Sequence, residues 1–322
     1  MSTSKPLLQK TEKITIQAFY KRLDEYLGNP EKTELFLSSL ESHLLESSSS
    51  DDKQMLATVY NEKGSFYRSI SRFDDSLRAF QKGREIILEL WGPNCLPYAT
   101  LLNNMAGTLR LIGENQQAID MFLQAIKIYH HLNADESYAF ASVQNNLSLV
   151  YQETGQTKLA IYHLQIALNL IRKMPDHASQ LAVTYGNLCT LYHQISDDEM
   201  AMKSLDRALK IYSDNKNAKN VHYAAVLNSL GAFLFQSGEN ARAIAVFKQA
   251  AVYSEKWFGQ NLDYATAYHN IYWVCHQLKK WPEAFTALQE TYRVYRNLFG
   301  DDHERTRTIK EKLEFSKRMA ES

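Results

Sequence analysis

The chain has 322 residues, of which 45% are hydrophobic and 22% charged, a composition that supports a buried core and argues against general disorder. Lys and Arg (36) balance Asp and Glu (36), so the chain has no net positive field to attract nucleic acid as its main partner. Glycine (12) and proline (6) are scarce for this length, which favours long helices with few loops.

Cysteine usage and hydrophobicity indicate the cellular compartment of the protein. Cys95, Cys189 and Cys275 are far apart in the sequence, which indicates a reducing compartment without a disulfide framework. The first residues lack the apolar segment of a signal peptide, and no stretch reaches the ~18 apolar residues that cross a bilayer. We therefore expect a cytoplasmic protein with no membrane insertion.

Residues 1–51 are predicted to hold a degenerate N-terminal helix pair and a linker. The two helices are expected at 14–27 and 31–45, because a Gly-Asn-Pro sequence separates them. A polar run at 46–52, rich in serine and aspartate, is expected to be the most flexible link in the chain.

Residues 52–300 contain six repeats of a helix–turn–helix pattern. One position in the first helix recurs at spacings of 41 or 42 residues, which is too regular over six units to arise by chance. Because a single helix pair cannot bury its apolar face, the repeats are expected to stack around one continuous core. The recurring positions are Gly64, Ala106, Ser148, Cys189, Gly231 and Tyr272.

The second helix of most repeats carries an apolar stripe at i, i+4 and i+7, which is one face of an α-helix. In the second repeat this stripe is Ala118, Phe122 and Ala125, and the next three repeats have alanine, a large apolar residue and alanine at the same positions. The small residues let the paired helices approach closely, and the large residue fills the gap between repeats.

The turn inside several repeats carries a residue that can take positive φ after the first helix. Three repeats have glycine at this turn, namely Gly113, Gly155 and Gly238. Glycine is not obligatory, because the other three turns begin with Ser71, Ser196 and Lys279.

Residues 301–322 are predicted to form a charged amphipathic helix at 303–319. Its apolar residues are Ile309, Leu313 and Phe315. The last repeat of a stacked array leaves one apolar face uncovered, so we expect this helix to cap it.

The repeat resembles the tetratricopeptide repeat in its order of leucine, small residue, aromatic, glycine, alanine, aromatic and alanine. The usual period is ~34 residues, and the longer period here resembles the kinesin light chain subtype. This resemblance implies an all-α fold, a right-handed superhelical solenoid of antiparallel helix pairs. The connectors that carry the subtype likeness are Trp91-Gly92 with Tyr98-Ala99, Phe258-Gly259 with Tyr264-Ala265, and Phe299-Gly300.

The resemblance implies that the first helices line a concave groove that holds a segment of another protein. A row of asparagines on that face is expected to pair with the main chain of an extended peptide, because an amide both donates and accepts. The alternative is that some of these amides bond across neighbouring helices and tie the solenoid together. The row consists of Asn61, Asn103, Asn104, Asn145, Asn146, Asn187, Asn228 and Asn270.

Other inward positions are cationic toward the N-terminal repeats and aromatic toward the C-terminal ones. Such a mixture suits a segment with acidic and aromatic or leucine anchors, whereas the alternative is a set of scattered solvated charges. These positions are Arg68, Arg110, Gln152, Glu153, His193, Phe235, Trp273 and His276. A clamp for a chaperone's C-terminal carboxylate is disfavoured, because the positions that need basic residues are Leu111, Glu153, Gln194 and Gln236.

Motifs of catalysis are missing from the sequence: it has no phosphate-binding loop, nucleophile elbow, zinc-protease helix or dinucleotide-binding turn. His269, Cys275 and His276 share one predicted helix, but the two histidines lie two turns (~10 Å) apart, too far to share an ion unaided. We expect no enzymatic activity, no cofactor and no metal site.

The sequence therefore predicts a protein–protein interaction adaptor that captures an extended or helical segment in its groove. One alternative is a bacterial signalling regulator resembling the Rap proteins, which join an N-terminal helical bundle to tetratricopeptide repeats and act on a response regulator. Residues 12–47 are short for such a bundle. A second alternative is a structural subunit held by its convex face in a larger assembly, and formation of a homo-oligomer also stays open.

Overall fold

A computed structural model of the protein describes residues 15–26, 29–47, 49–213 and 223–321, which form fifteen α-helices and no β-strand. Contacts divide the chain into unit 1, which ends at Leu170, and unit 2, which begins at Ile171. Unit 1 contains α1 (Ile16–Tyr26), α2 (Pro30–Leu45), α3 (Ser50–Ser69), α4 (Phe73–Trp91), α5 (Leu96–Leu111), α6 (Asn115–His131), α7 (Tyr138–Glu153) and nearly all of α8 (Thr157–Ile171). Unit 2 contains α9 (Ala178–Gln194), α10 (Asp198–Ser213), α11 (Tyr223–Gln236), α12 (Asn240–Phe258), α13 (Leu262–Gln277), α14 (Trp281–Phe299) and α15 (Glu304–Glu321).

Each repeat is a pair of consecutive helices that pack on each other. In unit 1, α3 packs on α4 and α5 on α6, and in unit 2, α9 packs on α10, α11 on α12 and α13 on α14. The first helices of successive repeats also touch, α3 with α5 and α5 with α7 in unit 1, and α9 with α11 and α11 with α13 in unit 2. Within each unit the first helices therefore form one face. None of the described helices is long and apolar enough to cross a membrane.

The predicted stripe of the second helices is confirmed as the centre of the core. In α6, Ala118, Phe122 and Ala125 are 0% exposed, and the corresponding positions of α8, α10 and α12 are at most 1% exposed. Removing a large apolar side chain from water contributes roughly 1.5–3 kcal/mol, so this stripe is a main source of the stability of each repeat.

The recurring position of the first helix lies against the large residue of the second helix. A Cβ added to Gly64 would lie 2.5 Å from the ring of Phe80, which is itself 0% exposed. Glycine at this position thus makes room for a phenylalanine opposite. In the last repeat the large Tyr272 occupies the position, and the smaller Leu288 belongs to the same buried cluster.

The positive φ expected at the three glycine turns is confirmed, and the other three turns have positive φ as well. The glycine turns have φ of 86° at Gly113, 74° at Gly155 and 80° at Gly238. The other turns adopt the same left-handed conformation without glycine, with φ of 62° at Ser71, 61° at Ser196 and 57° at Lys279. These three side chains therefore hold a strained backbone that glycine would relax.

Replacing Lys279 by glycine is expected to stabilise the protein by about 1 kcal/mol, because a side chain in the left-handed region costs about 1–2 kcal/mol. Gly238→Ala is the reverse test, since a Cβ there would meet nothing within 4 Å and only the backbone strain would change. Chemical denaturation of both variants and of the parent protein measures the change in the free energy of unfolding. A Lys279→Gly protein no more stable than its parent would show that this turn is unstrained.

The N-terminal helices follow the prediction with one shifted boundary. Helix α3 begins at Ser50, inside the run expected as a linker, because Ser49 caps it by accepting a hydrogen bond from the Asp52 amide at 3.1 Å. The Asp52 carboxylate in turn accepts from the Ser47 and Ser49 hydroxyls at 2.5 and 2.6 Å. Residues 14 and 27, the predicted ends of the first helix, lie outside the described residues.

Helix α15 packs against α14, and two of its three predicted apolar residues face the core. Ile309 is 3% exposed and belongs to a cluster with Ile271 and Val274 of α13, and Leu313 packs against the same cluster. Phe315 is 44% exposed, so its side chain adds little to this core.

Candidate partner-binding face

Four of the predicted asparagines in unit 1 form a chain of side-chain hydrogen bonds across α3, α5 and α7. Asn146 Nδ2 donates to Asn103 Oδ1 at 3.0 Å, and Asn103 Nδ2 donates to Asn104 Oδ1 at 3.4 Å. Asn104 Nδ2 then donates to Asn61 Oδ1 at 2.9 Å. We call Asn61, Asn103, Asn104 and Asn146 the amide ladder. These bonds tie neighbouring first helices, as the alternative interpretation of the asparagine row proposed.

The neighbouring Asn145 lies outside the ladder. Its Oδ1 is buried and has no hydrogen-bond partner. A buried polar atom without a partner costs about 1–3 kcal/mol, so this oxygen is a place where a donor from a bound molecule or water would stabilise the protein.

The two arginines expected to make the N-terminal repeats cationic are engaged within unit 1. Arg68 Nη1 donates to the Asn104 main-chain oxygen at 2.9 Å, and burial lowers the Arg68 pKa. The space for this guanidinium depends on Gly107, where a Cβ would lie 2.8 Å from Arg68 Nη1. Arg110 forms an ion pair with Glu153. Both cations therefore have internal partners and form no unpaired basic patch for an acidic ligand.

In unit 2, the face of α9, α11 and α13 surrounds a cavity of ≈ 370 Å³. Asn228 is 6% exposed, its Nδ2 donates to the Asp263 main-chain oxygen at 3.3 Å, and its Oδ1 is buried without a partner. His193 Nδ1 lies 2.7 Å from Asp198 Oδ1. The lining residues are Cys189, Thr190, His193, Gln194, Ala225, Asn228, Ser229, Ala232, Phe233, Gln236, Asp263, Thr266 and Asn270.

Three of the predicted site residues, His193, Asn228 and Asn270, thus come together at one cavity. Phe235 packs instead against the apolar cluster of α11 to α15. Phe233 lines the cavity, and its ring centroid lies 5.2 Å from that of His193. The sequence did not predict Phe233 at this site. Phe233 and Phe235 both follow Asn228 within two helical turns, and no sequence pattern indicates which of the two faces the cavity. Asn187 is half-buried on α9 and is not among the lining residues, and Gln152 is half-buried at the end of α7.

The predicted aromatic positions of α13 lie beside the C-terminal helix. Trp273 is 41% exposed, and Lys312 Nζ of α15 lies 5.0 Å from its ring centroid. The His276 ring is 5.2 Å from Trp281 and 6.3 Å from Phe315. Helix α15 therefore borders this aromatic patch as well as the core.

Cys189, which also lines the cavity, is suited to packing rather than catalysis. It is 1% exposed, and burial raises its thiol pKa to about 11. A thiol with so high a pKa stays protonated near neutral pH, whereas the thiolate is the nucleophile. Across the part of the chain that the structure describes, no group of three or more His, Cys, Asp or Glu side chains is arranged to hold a metal ion.

Comparison with known proteins places these repeats in a family. The family described as Tetratricopeptide repeat matches residues 55–130, 140–214 and 222–297 of this chain. Protein KINESIN LIGHT CHAIN-RELATED 3 of Arabidopsis thaliana is 22% identical over 205 residues, which are 63% of this chain and 32% of that protein. The chain spans about a third of the length of the curated relatives it matches.

Two solved structures share the fold. The crystal structure of BtubC (BKLC) from P. vanneervenii has 21% identity and a TM-score of 0.55, covering 63% of this chain and 82% of its own. A Rap protein complexed with Competence and Sporulation Factor has 15% identity and a TM-score of 0.65, covering 97% of this chain and 89% of its own. These likenesses confirm the predicted all-α solenoid of helix pairs. With family matches over more than half of its residues, the chain belongs to the tetratricopeptide repeat family.

Proposed function

We propose that this protein is a cytoplasmic, non-enzymatic adaptor that binds an extended or helical segment of another protein on the face of its first helices. The observation that carries the proposal is the unit 2 cavity, which three successive first helices surround with mostly polar side chains. Polar groups that converge on a concave surface fix the orientation of a ligand and give specificity. The inward positions predicted as partner-binding are candidates for this contact, with Asn228 and Asn270 at the cavity foremost.

The buried Asn228 oxygen supports a peptide as the occupant. It lacks a hydrogen-bond partner, although its own Nδ2 is engaged with the Asp263 main chain. A small rotation of the side chain toward the cavity would let the oxygen accept a main-chain N–H of a bound segment. Every residue of a peptide except proline has such a group, so the contact suits peptides of many sequences.

A selection from random 12-residue peptides displayed on phage, with the intact chain immobilised, tests this function. The double variant Asn228→Ala, Asn270→Ala is expected to weaken binding of the selected peptides tenfold or more, since each lost hydrogen bond contributes about 0.5–1.5 kcal/mol. Asn297→Ala is the matched control, because Asn297 is exposed on a second helix, α14. Peptides that bind the double variant and its parent equally would contradict a groove at this cavity.

A regulator like the Rap proteins remains the second candidate, favoured by a fold likeness that extends over 97% of this chain. By the resemblance, such a regulator acts on a second protein, a response regulator, and so needs a surface for that protein besides the cavity proposed to hold a peptide. A protein partner that still binds the Asn228→Ala, Asn270→Ala variant, but is displaced by the selected peptides, would favour the regulator over the adaptor.

A further inference from the structure

A second cavity, of ≈ 650 Å³, lies in unit 1 on the side of the second helices. Leu123 and Ile126 of α6 and Tyr162 and Ile166 of α8 line it. Leu123 is 36% and Tyr162 56% exposed, so large apolar side chains reach solvent here. A cavity of ~300–1,000 Å³ with mostly apolar walls and a few polar groups is typical of a binding site.

Two buried polar side chains also line this cavity. Gln144 of α7 is 3% exposed and His163 of α8 is 9% exposed. His163 Nδ1 lies 2.6 Å from Gln144 Oε1, and the His163 ring stacks on the Tyr151 ring with the centroids 5.3 Å apart. These contacts hold the imidazole in one orientation at the cavity.

A polar pair of this kind is found only in the third repeat. At the positions of Gln144 and His163, the second and fifth repeats have two apolar residues, and the first, fourth and sixth combine tyrosine with alanine or serine. Helix packing therefore does not require an amide and an imidazole here, and Gln144 lacks the ring that three other repeats carry at its position. In chain order the equivalent residues are Tyr60 and Ala79, Leu102 and Met121, Tyr185 and Ser204, Leu227 and Val246, and Tyr268 and Ala287.

The pair presents one donor and one acceptor besides its own hydrogen bond. Burial lowers the His163 pKa, so the imidazole is neutral at pH 7 and has one N–H and one nitrogen lone pair. With Nδ1–H donating to Gln144 Oε1, His163 Nε2 is an acceptor and Gln144 Nε2 is a donor. Reversing the amide exchanges the two roles and still leaves one of each.

A hydroxyl group matches such a pair, because it both donates and accepts. A water molecule could meet the two polar atoms, but it would leave the walls formed by Leu123, Ile126 and Ile166 in contact with solvent. A hydroxyl carried on an apolar ring satisfies the polar pair and also removes these walls from water.

The charged residues that line the cavity are acidic. Asp135 and Glu136 lie in the turn between α6 and α7, and no lysine or arginine is among the lining residues that the structure describes. Asp135 Oδ2 lies 2.9 Å from His130 Nδ1. A cation next to the bound ring is therefore favoured over an anion.

We propose that this cavity binds a tyrosine side chain of a partner protein that has a lysine or arginine beside the tyrosine. The tyrosine hydroxyl bridges His163 and Gln144, its ring packs between α6 and α8, and the cation lies toward Asp135 and Glu136. Tyrosine is a common anchor of interfaces, because its ring supplies contact area and its hydroxyl a hydrogen bond. The site goes beyond the proposed function, since it lies in unit 1 and does not depend on the unit 2 cavity.

The first experiment uses p-cresol, which is the tyrosine side chain alone, and 4-methylanisole, which has the same ring but an oxygen that cannot donate. NMR of the ring signals of His163 and Tyr162 in the full chain measures both affinities. We expect p-cresol to bind about fivefold or more tightly than 4-methylanisole, because the ether leaves one polar atom of the pair unmatched. Equal affinities, or no saturable shift with p-cresol up to about 20 mM, would overturn the proposal.

A double variant separates recognition from a purely structural role of the pair. Gln144→Leu with His163→Met installs the apolar pair of the second repeat, so no polar partner is left unmatched and the helical CD spectrum should persist. By the Tyr162 signals, this variant should bind the two compounds equally. His131→Met, at an exposed position of α6 outside the lining residues, is the matched control and should keep the preference. A preference for p-cresol that persists in the double variant would contradict the assigned role of the pair.

The cation is tested with two phenols that differ in the charge of their side arm. Tyramine, with an ammonium group, is expected to bind the parent protein about threefold or more tightly than 3-(4-hydroxyphenyl)propionate at low ionic strength, and added salt should reduce the difference. The variant Asp135→Asn, Glu136→Gln should remove most of it. Equal binding of the two phenols to the parent would refute the basic neighbour in the partner.

Discussion

Ending the chain at Gly300, which removes α15, is expected to make unit 2 aggregate or fray from its last repeat. The reason is that Ile309 and Leu313 of α15 cover the cluster that includes Ile271 and Val274 of α13. In a repeat protein each unit contacts only its neighbours, so the helices of unit 1 should stay folded. Static light scattering with far-UV CD and a thermal melt measures both effects. Unchanged solubility and an unchanged melting curve would show that α15 is not a cap.

A point substitution tests the same contact without removing a helix. Ile309→Ala is expected to cost about 2–5 kcal/mol, because Ile309 is 3% exposed and its loss leaves a cavity. Phe315→Ala is the matched control on the same helix, since Phe315 is 44% exposed and should cost much less. Equal losses from the two variants in urea denaturation would contradict the assignment of the buried face of α15.

Acidification is expected to destabilise unit 2 through His269. Burial, with a smaller contribution from Lys312, lowers the His269 pKa from 6.5 to about 4, and its Nε2 is buried without a partner. In the unfolded chain the His269 side chain therefore binds a proton near pH 6.5, whereas in the folded protein it binds one only near pH 4. The associated stability is fully present above pH 6.5 and is lost as the pH falls toward about 4. Each unit of pKa difference corresponds to about 1.4 kcal/mol. The loss in the free energy of unfolding therefore approaches roughly 3 kcal/mol.

This loss of stability is tested by measuring the free energy of unfolding at several pH values between 7.5 and 4.5. The His269→Gln variant is the comparison. Glutamine cannot titrate, so the variant should lose less stability than the parent over that interval. Because the charge of Lys312 contributes to the low pKa, the Lys312→Ala variant should show a higher His269 pKa by NMR. Parallel pH profiles of the parent and His269→Gln would refute the role of this histidine.

The sequence by itself determined the helical repeat. The stripe of Ala118, Phe122 and Ala125 is a local pattern, and its repetition at 41 or 42 residues specifies both the helix pairs and the core they share. Positive φ at the glycine turns could also be predicted, because it depends on how a helix ends. Ser71 and Lys279 adopt it without glycine, since the packing of the two helices outweighs a strain of about 1–2 kcal/mol.

The tertiary structure alone decided what the inward face offers a partner. The sequence placed Arg68, Arg110 and the asparagines on one face, but their partners lie 36 to 43 residues away, as in Arg68 with Asn104 and Arg110 with Glu153. Hydrogen bonds across that separation depend on the register of neighbouring helices, which helical periodicity does not specify. For the same reason the hydrogen bond from Asn104 to Asn61 depends on the packing of α3 against α5, which the sequence did not specify.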